Sequence, residues 1–247
     1  MSFRVVIPAR YASTRLPGKP LLLIAGRPMV EHVWRRAQAA GALEVFIATD
    51  DERIATVARA FGAAVVLTSP AHPSGTDRLA EVAHQRGWSD ETVVVNVQGD
   101  EPLLPSANVT QVAQLLEDDP GAAMATLMTP VRSEHDFRDP NVVKVVTNQS
   151  GRALYFSRAP IPWPRDGQFP EGLGLAWRHI GLYAYRVGAL RRLAGWAPTP
   201  LEHCERLEQL RALENGLAIA IAPATETPGP GVDTAEDLQR VAALLAV

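Results

Sequence analysis

Val5-Val6-Ile7-Pro8-Ala9-Arg10-Tyr11-Ala12-Ser13-Thr14-Arg15-Leu16-Pro17-Gly18-Lys19-Pro20 decides the fold. Val5-Val6-Ile7 is a short β-branched run that reads as a strand and stops at Pro8. The loop after it is long, is built largely of small residues and carries three cations, Arg10, Arg15 and Lys19. Pro28 suits the first turn of a helix whose apolar face is Val30, Val33, Trp34 and Ala37 and whose stop is Gly41. A strand, a long loop and a helix open an α/β sheet, in which ligands bind beyond the carboxyl ends of the strands.

The pattern repeats downstream. Glu44–Thr49 and Ala64–Leu67 read as strands around a helix that begins at Asp50/Asp51, turns Ile54, Val57, Ala58 and Phe61 inward and ends at Gly62. After a Pro/Ser/Gly loop at 69–76, the spacing predicts a helix over Asp77–Arg86. A strand over Thr92–Val97 and a helix over Pro105–Glu117 follow. The strand is apolar except at Asn96, the composition of a strand buried on both faces. Such units imply right-handed crossovers and a mostly parallel sheet. After Ala122 the rhythm changes to strands at Ala123–Val131, Val142–Thr147, Ala153–Ser157 and Trp177–Tyr185, with a hairpin turn at Asn148–Gly151 and an exposed loop at 159–174. A helix over Leu201–Asn215, a strand over Leu217–Ala222 and a helix over Thr234–Leu245, capped by Thr234 with Asp237, close the chain. The expectation is one α/β domain over 1–247, Rossmann-like, carrying a smaller mixed-sheet lobe at about 130–200.

Composition limits the partners. A chain of 247 residues suits one large domain or one with an insertion. The net charge of −3 argues against a nucleic-acid binder or a polybasic membrane module. No stretch approaches the ~18 apolar residues of a membrane helix. The run ending at Pro8 is too short for a signal peptide's apolar core. With Cys204 as the single cysteine, a disulfide within the chain is impossible, so a reducing, cytoplasmic setting is expected. Cys204 lies in a helical pattern and is expected in the core. The near-neutral total hides a segregation. Residues 1–30 hold Arg4, Arg10, Arg15, Lys19 and Arg27 and no acid, while 212–239 hold Glu214, Glu226, Asp233, Glu236 and Asp237 and no Lys or Arg.

Arg10, Arg15 and Lys19 are donors of the kind that grip phosphate oxygens, and the same residues would also make a solvated basic loop. The loop is not a Walker A motif, because Pro20 follows Gly18-Lys19, and it is not a Gly-x-Gly-x-x-Gly turn. Asp100, in Gln98-Gly99-Asp100-Glu101-Pro102, stands at the mouth of the buried strand, where it can serve as a Mg²⁺ ligand or as a turn aspartate. Asp233 is a second hard-oxygen candidate or a partner of the closing helix dipole. Ser74-Gly75-Thr76-Asp77-Arg78 opens a helix whose N–H groups could read a polar ligand, or simply caps it. His179 shares a strand face with residues 181, 183 and 185. His32, His72, His84, His135 and His203 show no partner in the sequence.

These segments together resemble the CMP-Kdo synthetases, the 3-deoxy-manno-octulosonate cytidylyltransferases. The resemblance runs from residue 3 to about 240. It is carried by Ile7 through Pro20, His72 through Glu81, Val95 through Pro102, Ala153–Arg158 with Ile161-Pro162-Trp163, Arg178-His179 with Gly181 and Tyr183, Pro200-Leu201-Glu202-His203 and Gly231-Val232-Asp233-Thr234. It implies a homodimeric enzyme that joins CTP and 3-deoxy-manno-octulosonate (Kdo) into CMP-Kdo and pyrophosphate with Mg²⁺. By resemblance, Arg10, Arg15 and Lys19 hold the triphosphate, and Pro8, Ala9, Ser74, Gly75 and Arg78 hold the base. Asp100 and Asp233 then hold the metal, and Gln98, Arg158, Arg165, His179, Tyr183, Glu208 and Gln209 hold the sugar. Asp77 departs from the family's usual Glu, and the 166–175 loop departs in length. The rival readings are a cytidylyltransferase for sialic acid or a sugar phosphate, a non-catalytic nucleotide sensor, and a NAD-dependent dehydrogenase, the last opposed by the missing glycine turn.

Overall fold

The computed structural model describes residues 2–12, 16–72, 74–167 and 174–245. β1 (Phe3–Ala9) leads through the cationic loop and a 3-10 turn at Lys19–Leu21 to a small hairpin of β2 (Leu23–Ile24) and β3 (Arg27–Pro28). Then come α1 (Met29–Ala39), β4 (Glu44–Thr49), α2 (Glu52–Ala60), β5 (Ala64–Leu67), α3 (Gly75–Gln85), β6 (Val93–Asn96) and α4 (Ser106–Asp118). The second half holds β7 (Met124–Pro130), α5 (Glu134–Arg138), β8 (Lys144–Thr147), β9 (Ala153–Ser157) and β10 (Trp177–Arg186). It closes with α6 (Val187–Gly195), α7 (Pro200–Glu205), α8 (Gln209–Glu214), β11 (Ile219–Pro223) and α9 (Ala235–Leu245).

The sheet runs β11-β7-β10-β6-β1-β4-β5. β1 pairs in parallel with β4 on one side and β6 on the other, and β4 with β5. The chain leaves β1 toward β4 and β5 and returns on β1's opposite flank as β6. That reversal opens a crevice at the carboxyl ends of β1 and β6, the place where open α/β sheets take ligands. β10 runs antiparallel between β6 and β7, and β11 is parallel to β7. Within residues 130–200, β8 and β9 form an antiparallel hairpin off this path, turning at 148–151, while β10 crosses the sheet itself.

Both faces of the sheet are buried. Val93 and Val95 of β6 join a core with Val30 and Val33 of α1 and Val109, Val112 and Leu116 of α4. Val94 joins the opposite core with Leu79 and Val82 of α3 and Leu190 and Leu193 of α6. One β-strand side chain after another thus meets a helix layer, which is why the run carries almost no polar residue. α3 begins two residues before its expected start, because Ser74 and Asp77 form a reciprocal capping box. Thr234 and Asp237 form the corresponding bonds before α9.

Several local expectations fail. Residues 201–215 form two helices instead of one, because Arg206 adopts a left-handed φ of 53° between α7 and α8. α5 and α6 lie where no helix is expected. The start of α6 is admitted by Gly188, whose Cβ would lie 2.9 Å from that of Asp90. Cys204 is exposed on α7 and not in the core, since α7 buries none of its residues. His32 and His72 do have partners, the Ile24 carbonyl and Glu81.

The αL geometry at Arg206 costs an ordinary side chain roughly 1–2 kcal/mol relative to glycine. Arg206→Gly is therefore expected to leave the urea midpoint unchanged or raise it, and Arg206→Val to lower it.

Candidate active site

The crevice holds a cavity of about 250 Å³ walled by the Pro8-Ala9-Arg10 backbone, Ala12, Lys19, Gly75 and the Gln98-Gly99-Asp100 turn. The turns after β1 and β6 touch: a Cβ on Gly99 would lie 2.8 Å from the Pro8 carbonyl oxygen, so only glycine permits this approach. The cationic loop folds back on itself, with Gly18 N–H donating to the Tyr11 carbonyl at 3.0 Å and Gly18 at φ 68°. The Arg53 guanidinium lies 3.3 Å over the Tyr11 ring and is itself held by the Asp51 carboxylate.

These turns bring Lys19 into a shared electrostatic cluster. Its Nζ donates to Asp100 Oδ2 at 2.7 Å and to the Val232 carbonyl at 2.7 Å, and it lies 3.2 Å from Asp233 Oδ1. Lys19, Asp100 and Asp233, separated by up to 214 positions, thus converge. Glu101 stands behind them, and burial together with the Asp100 and Asp233 charges pushes its carboxyl up to about 7. Among the described residues no group of three or more His, Cys, Asp or Glu forms a metal cage. A phosphate-bridging Mg²⁺ requires only one or two carboxylates, and two aspartate oxygens that reach one ammonium present that donor set.

A second cavity of about 230 Å³ shares Gly75 and Gln98 with the first. Its wall includes Thr76, Asn96, Tyr183, Tyr185, Glu208 and Gln209. The helix break at Arg206 places Glu208 and Gln209 here at the start of α8, and Glu208 accepts from Ser74 Oγ at 3.3 Å. Burial, reinforced by the nearby Asp77, raises the Glu208 pKa. Asn96 Oδ1, the Tyr183 hydroxyl and Gln209 Nε2 are buried and lack hydrogen-bond partners among the described residues. Unpaired buried polar atoms are uncommon in native interiors. Three bordering one cavity point to a polar ligand.

The structure brings together Gln98, Tyr183, Glu208 and Gln209 in the second cavity, and Pro8, Ala9, Arg10, Lys19, Gly75 and Asp100 in the first. Ser74 stands between them as the cap of α3. His179 sits one step away, its ring edge-on to Phe156 at 5.0 Å between centroids and tilted against Tyr183 at 5.2 Å, with Nε2 3.0 Å from Thr126 Oγ1. It faces a wider cavity of about 780 Å³ alongside Arg178, Glu101 and Asp233. Other expected residues stand elsewhere. Arg78 is fully buried beneath the first cavity, facing Asp50 at 3.2 Å and Thr68, and burial lowers its pKa. Arg158 points away from the second cavity, because its guanidinium donates to the Glu205 and Pro140 carbonyls at 2.7 and 2.9 Å. Arg165 is exposed and lines neither cavity. Arg15 lies outside the described residues. The sequence reading passes over Thr76, Asn96 and Tyr185. Asn96 carries a signal, as the one polar residue of its strand, and Tyr185 shares the His179 face.

Comparisons with known proteins give the family and the fold. The family profile described as cytidylyltransferase matches residues 4–219. A 3-deoxy-manno-octulosonate cytidylyltransferase of Thioalkalivibrio sulfidiphilus is 57% identical, the match covering 99% of this chain and 99% of that one. One of the same name from Cellvibrio japonicus is 56% identical over 100% of this chain and 99% of its own. Among solved structures, a CMP:2-keto-3-deoxy-manno-octonic acid synthetase complexed with CTP superposes with a TM-score of 0.91 at 43% identity, covering 100% of this chain and 99% of that one. A cytidylyltransferase from Leptospira borgpetersenii, 17% identical with a TM-score of 0.66 over 100% of this chain and 87% of its own, shares the fold.

Burial, reinforced by the adjacent Arg178 charge, pulls the His179 pKa down to about 3. The ring is therefore expected to stay neutral from pH 8 to pH 5 in the free protein, read as one imidazole that does not titrate by NMR. An unfolded histidine titrates near 6.5, so the unfolded chain binds the extra proton first. The contribution of His179 to stability is whole above pH 6.5 and is lost progressively as pH falls toward 3.

Proposed function

The chain belongs to the cytidylyltransferase family, and on that premise we propose that its two joined cavities carry CMP transfer from CTP to Kdo, giving CMP-Kdo and pyrophosphate. The observation that carries this reading is their common wall at Gly75 and Gln98, with a cavity bearing Arg10, Lys19 and Asp100 on one side and a cavity lined by uncharged polar side chains and the single carboxylate Glu208 on the other.

CTP lies in the first cavity. The Pro8-Ala9 backbone and the Ser74-Gly75 cap border the base, and Arg10, Lys19 and Arg15 meet the phosphates. Arg78 supports this wall from beneath. Its burial against Asp50 and Thr68 favours a supporting part over direct contact. Kdo lies in the second cavity against Gln98, Tyr183, Glu208 and Gln209, with His179 behind Tyr183. Arg158 precedes the loop at 159–174 and Arg165 lies within it, and neither lines the second cavity. Gln98, on the shared wall, holds the two substrates side by side, converting a bimolecular encounter into a reaction between neighbours.

The anomeric hydroxyl of Kdo attacks the α-phosphorus in line, a new C–O–P linkage forms, the α–β phosphoanhydride bond breaks, and the hydroxyl proton leaves to water. No side chain becomes covalently attached. Lys19 and Arg10 neutralise charge that grows on the departing pyrophosphate, a contribution available only in a cleft that already holds those cations. Asp100 and Asp233 would hold Mg²⁺, which when bound polarises the phosphoryl group and lowers the pKa of the attacking hydroxyl. The enzyme works as a cytoplasmic homodimer, with exposed Trp163 as interface material and a single cysteine suited to a reducing compartment.

Pyrophosphate release from CTP and Mg²⁺, with Kdo and with sialic acid as separate acceptors, tests the reading. Turnover is expected with Kdo and background release with sialic acid. A preference for sialic acid, or CTP binding without release for any acceptor, would contradict it. Asp100→Ala is expected to lower kcat on the order of 10²-fold or more at saturating Mg²⁺. Near-normal turnover by that variant would remove Asp100 from the site.

A further inference from the structure

Asn96 breaks the run Val93-Val94-Val95-Asn96-Val97 at the position where β6 reaches the second cavity. It is 3% exposed and lies opposite Tyr183 in the register of β6 with β10. A valine or leucine would satisfy a strand buried on both faces without leaving a polar group to pair, so an asparagine there works against packing alone. The Thr76 and Asn96 side chains approach the Tyr185 hydroxyl on the cavity wall. The other end of the amide, Oδ1, is buried and lacks a partner. The Tyr183 hydroxyl and Gln209 Nε2 are unpartnered on the same cavity. An acceptor and two donors are thus offered to one space of about 230 Å³, many times the room one water needs.

We propose that Asn96 is a specificity-determining residue for the acceptor, its Oδ1 accepting a hydrogen bond from one hydroxyl of the sugar. The inference rests on reading the second cavity as the acceptor site. Tyr183 and Gln209 complete a pattern that a polyhydroxylated acid sugar satisfies. An acceptor lacking the matching hydroxyl leaves Oδ1 buried and unpaired, which is how a polar site rejects a near-isostere. Asn96 stands on a central strand, so its position is set by the sheet and not by loop closure.

Steady-state kinetics on Asn96→Leu and the unaltered enzyme, with Kdo and with a set of Kdo analogues each lacking one hydroxyl, tests this. Asn96→Leu is expected to raise the KM for Kdo roughly tenfold while the KM for CTP stays within about twofold. The unaltered enzyme is expected to lose roughly tenfold in kcat/KM on one particular analogue, and Asn96→Leu less than twofold on that same analogue. An unchanged KM for Kdo, or the same penalty pattern in both enzymes, overturns the proposal. Should Asn96→Leu fail to fold by circular dichroism, the analogue set on the unaltered enzyme decides, and losses under twofold for every analogue overturn it. An unaltered enzyme that releases no pyrophosphate with Kdo overturns the parent reading and this one together. Normal Kdo turnover without the expected Asn96 effects overturns this one alone.

Discussion

The Lys19 ammonium donates to Asp100 Oδ2 and to the Val232 carbonyl, both at 2.7 Å, so a single charge joins the loop after β1, the turn after β6 and the segment leading to α9. Asp233 lies 3.2 Å from the same ammonium. Two aspartates this close to each other repel, and the cation between them makes their approach favourable. The sheet supplies the meeting place. Because β4 and β6 lie on opposite flanks of β1, the two turns at its carboxyl end must face each other, and Gly99 lets their backbones touch. A cleft that already balances one cation against two carboxylates is suited to trade those contacts for phosphate oxygens and Mg²⁺.

The segregated charge of the chain acquires a meaning from this cluster. Lys19 comes from the acid-free first 30 residues and Asp233 from the cation-free 212–239 stretch, and the fold brings these two together. Other members of each set pair locally or elsewhere: Arg4 with Glu44, Arg27 with Glu31, and Asp237 with Arg240. Net charge therefore excludes partners, and only the folded topology shows which charges cooperate.

The parts of the fold legible in sequence are those set by local periodicity and by loop chemistry. β4, β5 and β9 match their expected bounds, and the loops after β1 and β6 carry the residues that meet in the first cavity. What escaped depends on partners distant in sequence. A helical pattern from 201 to 215 gives no sign of the turn at Arg206, yet that turn sends Glu208 and Gln209 into the second cavity. Arg78 and Arg158 have the composition of ligand-binding arginines, and their burial or backbone partners appear only when Asp50, Thr68, Pro140 and Glu205 are placed in space. Thr76, Asn96 and Tyr185 belong to one buried wall that forms only in the fold, and of the three Asn96 alone is marked locally, as the polar residue of an apolar strand. The two cavities also follow different physics. The first is built on charge, which gives strong attraction to phosphate, and the second mostly on buried amide, hydroxyl and phenol groups around Glu208, whose hydrogen bonds give selectivity.

The account stands most directly on the placement of two substrates across the wall at Gly75 and Gln98, and a crystal structure with CTP and an unreactive Kdo analogue measures that placement. The expected result is the triphosphate against Arg10 and Lys19, the sugar among Asn96, Tyr183, Glu208 and Gln209, and the anomeric position facing the α-phosphorus. A sugar seated in the wide cavity beside Arg178 and His179, on the far side of Asp233, would contradict it.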